Sequence, residues 1–223
     1  MKRRRNGFTL AEVLITLGII GVVAAMAIPG LITSVHKTTT AIKVKKFYSV
    51  VNQAMRLSSI DNGEPEGWIL PKRPFNYKDN LKYMNEYFSP YMKLSSCKKV
   101  YIPANENSAA CAMVDGGAFI LCRQDKTVHF FYLTDYALLD KPNFYKDTRH
   151  FFTWQLGKIA GTANHKKSDP NFLVPFVYEW DGTYENLKKH PKYGCSRSAS
   201  NRAAYCSKLL MVNDWKFTRD YPW

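Results

Sequence analysis

The 223-residue chain lacks the sequence motifs that mark the commonest enzyme classes. It contains no C-x-x-C pair, no G-x-S-x-G or H-E-x-x-H motif, no P-loop and no dinucleotide-binding fingerprint. A zinc site is not expected, because paired ligand spacing is missing among His129, His150, His165 and His190. Spacing gives equally little support to a nucleophilic pair of Cys122 with a distant histidine. We therefore expect a protein that is not an enzyme and that holds no cofactor.

Acidic residues are scarce: 18 Asp and Glu face 32 Lys and Arg, so the formal net charge is +14. Four of the positive charges fall in residues 2–5, and the remainder of the chain is still basic. Much of that remainder comes from Lys98, Lys99, Lys166, Lys167, Lys188, Lys189, Arg197 and Arg202. Such residues attract phosphate backbones or anionic membrane surfaces. We favour a solubilising surface that faces an acidic cell envelope, with DNA as the less favoured partner.

Charge is almost absent from residues 8–32, where Glu12 is the only ionisable side chain. Twenty-five residues at about 1.5 Å each are long enough to cross a bilayer as a helix. The basic residues 2–5 precede this run and predict a cytoplasmic amino terminus, with residues 33–223 exported. A secretory signal cut after Ala27 is the competing interpretation, because Ala25 and Ala27 form an A-x-A-like site. Glu12 argues against it, since a carboxylate in an apolar run is costly and needs a partner.

Residues 7–12 read GFTLAE and follow a short polar leader. This segment resembles the processing site of type IV prepilins and type II secretion pseudopilins. The resemblance implies that a prepilin peptidase cuts between Gly7 and Phe8 and that Phe8 is then methylated. It also implies that Glu12 sets the register of subunit assembly and that Pro29 is the proline that interrupts the helix. Other pilin or pseudopilin subunits and the inner membrane assembly machinery are the implied partners.

The residue types at the processing site have independent physical reasons. Gly7 has no side chain, so an intramembrane protease can approach the backbone closely. Cleavage frees an amino group one helical turn from Glu12, where it can offset the carboxylate in lipid, either in the same chain or from a neighbour. A glutamate that only reaches the headgroups is the remaining alternative. Pro29 removes a backbone donor, and Gly30 follows it, so we expect the helix to bend or to melt locally there.

The pattern divides the chain into a leader (1–7), a membrane and assembly helix (8–32), an amphipathic continuation of the helix (33–60) and a globular head (61–223). In the head, apolar spacing predicts a short helix at residues 78–91. Strand-like runs at 100–102, 111–114, 118–122, 127–133 and 150–155 predict an antiparallel sheet, with a hairpin at Asp115, Gly116 and Gly117. The expected fold class is α+β: a long membrane-spanning helix packed on an antiparallel-sheet head, as in type IV pilin-like proteins.

Five cysteines, all after residue 96, suit an oxidising compartment and leave one thiol unpaired. A bridge between Cys195 and Cys206 is our first expectation, with Cys97 and Cys111 as the second pair. Cys111 with Cys122 across the hairpin is nearly as good an alternative. Spacing alone leaves this connectivity open.

Four oxygen-bearing side chains fall close together in the head, and some secretion pseudopilins hold calcium in a head loop. These residues are Asp135, Asp140, Asn143 and Asp147. Their spacing fits no EF-hand, and the nearby Lys141 and Lys146 oppose a cation, so we favour a solvated loop.

The sequence therefore predicts a structural subunit, namely a pseudopilin or minor pilin-like protein of the inner membrane that assembles into a type II secretion pseudopilus or a type IV pilus-like filament. The periplasm or cell exterior is the expected location of the head. The alternative is a secreted basic domain, cut after Ala27, that engages nucleic acid or a surface polymer.

Overall fold

The structure is a computed structural model that describes residues 7–102, 105–124, 127–156 and 173–223. The predicted basic leader at 2–5, His165 and the lysine pair at 166–167 lie outside these residues. By compactness the chain divides into two units, which are Met1–Thr39 and Thr40–Trp223. The second unit thus begins inside the segment that the sequence assigns to the amphipathic part of the helix.

Helix α1 spans Leu10–Asn62, close to the predicted 8–60. Its part in the first unit is apolar on all sides and exposed, with Leu10 77% and Met26 78% accessible. Among the described residues α1 is the one helix long and apolar enough to cross a membrane. A helix that is hydrophobic all round needs an apolar environment, which this unit does not supply itself.

Helical structure continues without interruption through Pro29 and Gly30. The expected local melting at Pro29 is therefore wrong for the isolated chain. The Thr33 hydroxyl donates a hydrogen bond to the Pro29 carbonyl oxygen at 2.9 Å. Proline costs a helix interior about 3 kcal/mol, but the helix formers Ala25, Met26 and Ala27 precede it and Leu31 follows.

The second part of α1 buries one stripe of side chains in the core of the second unit. Val44, Phe47, Val51 and Met55 recur every three or four residues and are fully buried. Phe47 stacks on Tyr132 of the sheet, with ring centroids 4.6 Å apart. This contact ties the helix to the middle of the sheet.

The sheet has six antiparallel strands that lie side by side in chain order. They are β1 (Leu94–Ile102), β2 (Asn105–Met113), β3 (Ala118–Gln124), β4 (Thr127–Leu133), β5 (Phe151–Leu156) and β6 (Leu173–Pro175). Each of the five predicted runs overlaps one of β1 to β5, but β1 and β2 begin six residues earlier than predicted, and the runs at 111–114 and 150–155 each extend one residue beyond their strand. The sequence analysis missed β6, because three residues show no usable alternation.

Residues alternate between two buried clusters on the two faces of the sheet. Phe119 and Leu121 face the cluster that contains the buried stripe of α1, whereas Ile120 faces the opposite cluster. Helix α2 (Tyr77–Tyr87) adds Tyr83, Met84 and Tyr87 to the first cluster. Two 3₁₀ helices, Tyr136–Asp140 and Phe144–Lys146, add Leu139 and Phe144 to the second.

The hairpin between β2 and β3 turns at the predicted Asp115–Gly117. Gly116 has a φ of +80°, in the left-handed region that favours glycine. A Cβ atom on Gly117 would lie 2.6 Å from the ring of Tyr132, so the turn has no room for a side chain there. Asp115 accepts hydrogen bonds from the Gly117 amide at 2.9 Å and from the Tyr132 hydroxyl at 2.7 Å.

The carboxyl-terminal part holds two further helices, α3 (Tyr184–Lys189) and α4 (Cys206–Val212). The α4 residues Leu209 and Leu210 are buried in the same cluster as the α1 stripe. Trp215, which follows α4, stacks near Trp154 of β5, with ring centroids 6.4 Å apart. The sequence had left this region without assigned helices.

We expect Phe47→Ala to lower the free energy of unfolding of the second unit by about 3–5 kcal/mol, because the ring is fully buried. Thermal unfolding of the full chain in detergent, followed by near-ultraviolet circular dichroism, measures the effect. Ile42→Ala is the matched control on the same helix, since Ile42 is 61% exposed. Equal melting temperatures for the two variants would contradict the packing role of Phe47.

His129 on β4 gives a pH prediction. Its ring lies near those of Phe131 and Phe176, and burial lowers its pKa to about 4. An unfolded histidine titrates near 6.5, so between these values the unfolded chain binds a proton that the folded chain excludes. Stability should fall by about 1–3 kcal/mol as the pH drops from 6.5 to 4. His129→Phe should lack this part of the pH dependence in denaturant titrations; an unchanged slope would refute the assignment.

Candidate assembly segment at the amino terminus

The amino-terminal segment places Gly7, Phe8 and Thr9 immediately before the first turn of α1. All three are exposed, and the Phe8 side chain is 88% accessible. Among the described residues nothing lies within 4 Å of a Cβ atom built on Gly7. The Gly7–Phe8 bond is therefore open to a protease from this chain's side.

Thr9 and Glu12 form a reciprocal cap at the start of α1. The Thr9 amide and the Thr9 hydroxyl both donate to Glu12 Oε2, at 2.8 and 2.9 Å. In return the Glu12 amide donates to Thr9 Oγ1 at 3.2 Å. This is the capping-box arrangement, which satisfies backbone donors that the first helical turn leaves free.

The cap gives Glu12 a partner that the sequence analysis did not foresee. The sequence does contain a pattern that predicts this cap, because a threonine three residues before a glutamate at the start of an apolar run is a capping-box pattern. Only Oε2 takes part in the cap; within the described residues Oε1 of Glu12 has no hydrogen-bond partner. The carboxylate can thus cap its own helix and still accept a cation from elsewhere.

Pro29 lies 17 residues beyond Glu12 on the same helix, about 25 Å along its axis. The two residues are thus not brought together. The segment between them carries Gly18 and Gly21, and a Cβ atom on either would meet nothing within 4 Å.

Two family comparisons cover nearly the whole chain. Residues 2–28 match the prokaryotic N-terminal methylation motif. Residues 30–223 match a family described as a family of unknown function, DUF6613. The chain belongs to this family. The methylation motif together with the long apolar helix makes it a type IV pilin-like protein. No curated protein and no solved structure matches the chain.

The pilin-like protein contains two disulfide bonds, both in the second unit. Cys97 is bonded to Cys111, and Cys195 to Cys206. These are the first-choice pairs of the sequence analysis, and the alternative bond between Cys111 and Cys122 is wrong. Cys97 and Cys111 lie on the neighbouring strands β1 and β2, whereas Cys195 lies between α3 and α4 and Cys206 begins α4. Cys122 is a buried free thiol, and burial raises its pKa.

The four side chains considered as calcium ligands each contact a different residue of the pilin-like protein. Asp135 caps the Ala137 amide at 2.9 Å, and Asp140 pairs with Lys98 at 2.6 Å. The remaining two make short-range contacts, Asn143 with the Tyr145 hydroxyl and Asp147 with Arg149. Burial opposes ionisation of Asp147, but the hydrogen bonds from Arg149 outweigh it and lower its pKa. Among the described residues no group of three or more His, Cys, Asp or Glu could hold a metal ion.

Several of the basic residues that could attract nucleic acid are paired with carboxylates. Lys188 lies 2.6 Å from Asp220, and Lys189 lies 2.9 Å from Glu185. The Lys188 ammonium holds the pKa of Asp220 down to about 2. Arg197 instead donates to the Trp223 carbonyl oxygen at 2.6 Å. These pairs reduce the positive field at the carboxyl-terminal part of the protein.

We expect Thr9→Ala to weaken the start of α1 by about 1 kcal/mol, because the variant loses both hydroxyl hydrogen bonds of the cap. Thr9→Ser keeps the hydroxyl and should behave as the original chain. Hydrogen exchange of the amides of residues 9–13, measured by NMR in micelles, reports the change. Equal exchange in the alanine and serine variants would show that the hydroxyl does not hold the cap.

Proposed function

We propose that this pilin-like protein is a structural filament subunit rather than an enzyme. A prepilin peptidase cuts it between Gly7 and Phe8, Phe8 is methylated, and the exposed apolar part of α1 then assembles with other subunits. The single observation that carries this proposal is the methylation motif at residues 2–28 on the start of a long apolar helix. The exposed state of that helix in the isolated chain supports it further.

Assembly has a physical basis in the first part of α1. In the membrane this part is surrounded by lipid, and in a filament its side chains pack against helices of neighbouring subunits. Extraction from lipid is thereby offset by burial among helices. Glu12 sets the register of assembly: Oε1, which takes no part in the Thr9 cap, accepts a hydrogen bond from the methylated amino group of a neighbouring Phe8, while Oε2 keeps the cap. A charge in the apolar layer is tolerated only where such a partner exists.

Before assembly the protein is anchored in the inner membrane with its amino terminus in the cytoplasm, where the peptidase acts. The basic residues 2–5 support this orientation. The second unit then lies in the periplasm or outside the cell, which suits its two disulfide bonds. The inner membrane assembly machinery is the partner that takes up the mature subunit.

A type II secretion pseudopilus is the filament that we favour over an adhesive, motile or DNA-uptake pilus. Support comes from residues 194–223, GCSRSASNRAAYCSKLLMVNDWKFTRDYPW, which resemble the ends of pseudopilin-like proteins associated with type II secretion. The paired state of Lys188 and Lys189 also speaks against a strong phosphate-binding surface there.

The processing step is tested by mass spectrometry of the mature amino terminus, on protein expressed together with a prepilin peptidase. The expected chain begins at methylated Phe8, and Gly7→Leu should abolish the cut because a bulky side chain blocks the approach of the protease. A chain that begins at Ile28 would instead mean a secreted domain cut after Ala27, and would remove the filament role.

The assembly step is tested with Glu12→Ala in the same expression system. We expect normal cleavage but loss of incorporation into filaments, measured by shearing filaments from cells and blotting for the protein. Thr9→Ala is the matched control, because it removes the hydroxyl hydrogen bonds of the cap and retains the carboxylate. Normal filaments from Glu12→Ala would refute the register role of Glu12.

A further inference from the structure

The second unit contains a groove with a volume of about 530 Å³ beside strand β1. Residues 98–101 of β1 form one wall, and residues 139–145, which include parts of both 3₁₀ helices, form the other. This volume is within the range of clefts that receive ligands. The groove lies on neither the membrane helix nor the assembly segment.

Strand β1 is an edge strand of the sheet. Within the described ranges it pairs with β2 on one side, and no backbone hydrogen bond joins its other side to another segment. The Tyr136 hydroxyl donates to the carbonyl oxygen of Ser96, two residues before the part of β1 that lines the groove. Beyond that point every second residue of an edge strand presents its main-chain donor and acceptor outward. The wall formed by residues 98–101 therefore offers strand-pairing groups.

The groove is positively charged. Three lysines line it, Lys98, Lys99 and Lys141, against one carboxylate, that of Asp140. Asp140 is already paired with Lys98 at 2.6 Å. Among the described residues Lys99 and Lys141 have no ion-pair partner. An occupant with negative charge would supply the partners that these two ammonium groups lack.

A disulfide bond and buried apolar side chains stabilise the two walls of the groove. The disulfide bond of Cys97 anchors β1 to β2 just before the groove. Val100 on one wall and Leu139 and Phe144 on the other are buried in the same apolar cluster. A preformed groove loses little conformational entropy when it is filled.

We propose that this groove binds an acidic, extended polypeptide segment of a partner protein, which pairs with β1 as a seventh strand. The edge of β1 selects a polypeptide, because nucleic acids and polysaccharides cannot continue the ladder of a sheet. The lysines select acidic side chains and repel basic strands, so the charge that protects the edge from nonspecific pairing also sets the specificity. This proposal does not require filament assembly.

The test uses the full chain in detergent micelles and a fluorescent peptide of alternating Glu and Val, followed by fluorescence anisotropy. The peptide should bind, and its binding should slow hydrogen exchange of the β1 amides. A peptide of the same sequence with alternate amides N-methylated keeps the charge but cannot pair, and should bind at least about tenfold more weakly.

The variant Lys99→Glu/Lys141→Glu should also weaken binding about tenfold or more. The matched control is Lys78→Glu/Lys82→Glu, which makes the same change of charge at two exposed positions of α2. Failure of the peptide to bind would overturn the proposal. So would equal binding of the N-methylated peptide, or equal competition by a DNA oligonucleotide or polygalacturonate, since each would show that the groove responds to charge alone.

Discussion

The exposed apolar surface of residues 8–32 is the constraint on which the rest of this protein depends. Each Leu, Ile, Val or Met side chain in that run is worth about 1.5–3 kcal/mol when it leaves water, and nearly every residue of the run is exposed in the isolated chain. Against this sum the one carboxylate, Glu12, costs only about 2.5–3.5 kcal/mol on insertion scales. The apolar run therefore requires a membrane or other helices around it. The smaller cost of Glu12 does not change this requirement.

A single helix meets this constraint in two different ways along its length. From Leu10 to Thr39 most of its side chains are exposed, whereas from Thr40 to Asn62 one stripe is buried against the sheet. Asn52 links the second part of the helix to the sheet. Its side chain accepts a hydrogen bond from the Leu173 amide of β6 at 2.9 Å and donates one to the Tyr48 carbonyl oxygen at 2.8 Å. The helix is thus the first structural element of the second unit as well as the anchor.

Prediction from the sequence succeeded where the signal is local and repeated. The apolar run, the amphipathic stripe and the Asp-Gly-Gly hairpin depend on residues near each other in the chain. Helix α1 and strands β3 to β5 lie within two residues of the predicted bounds, whereas β1 and β2 are longer than predicted. The expected melting of the helix at Pro29 was wrong, because helical structure continues through this residue. Prediction from the sequence also missed the Thr9 cap, although a sequence pattern for that cap exists.

Residue types at short spacing are sufficient to predict the processing motif, the membrane-length helix and the α+β class. The folded structure was needed to see which cysteines are bonded, that Asp140 pairs with Lys98 rather than joining the other carboxylates, and that β1 is an edge strand among the described strands. These features bring together residues separated by up to 42 positions. Their contacts depend on strand order and on the packing of the whole sheet, which no local pattern of side chains encodes.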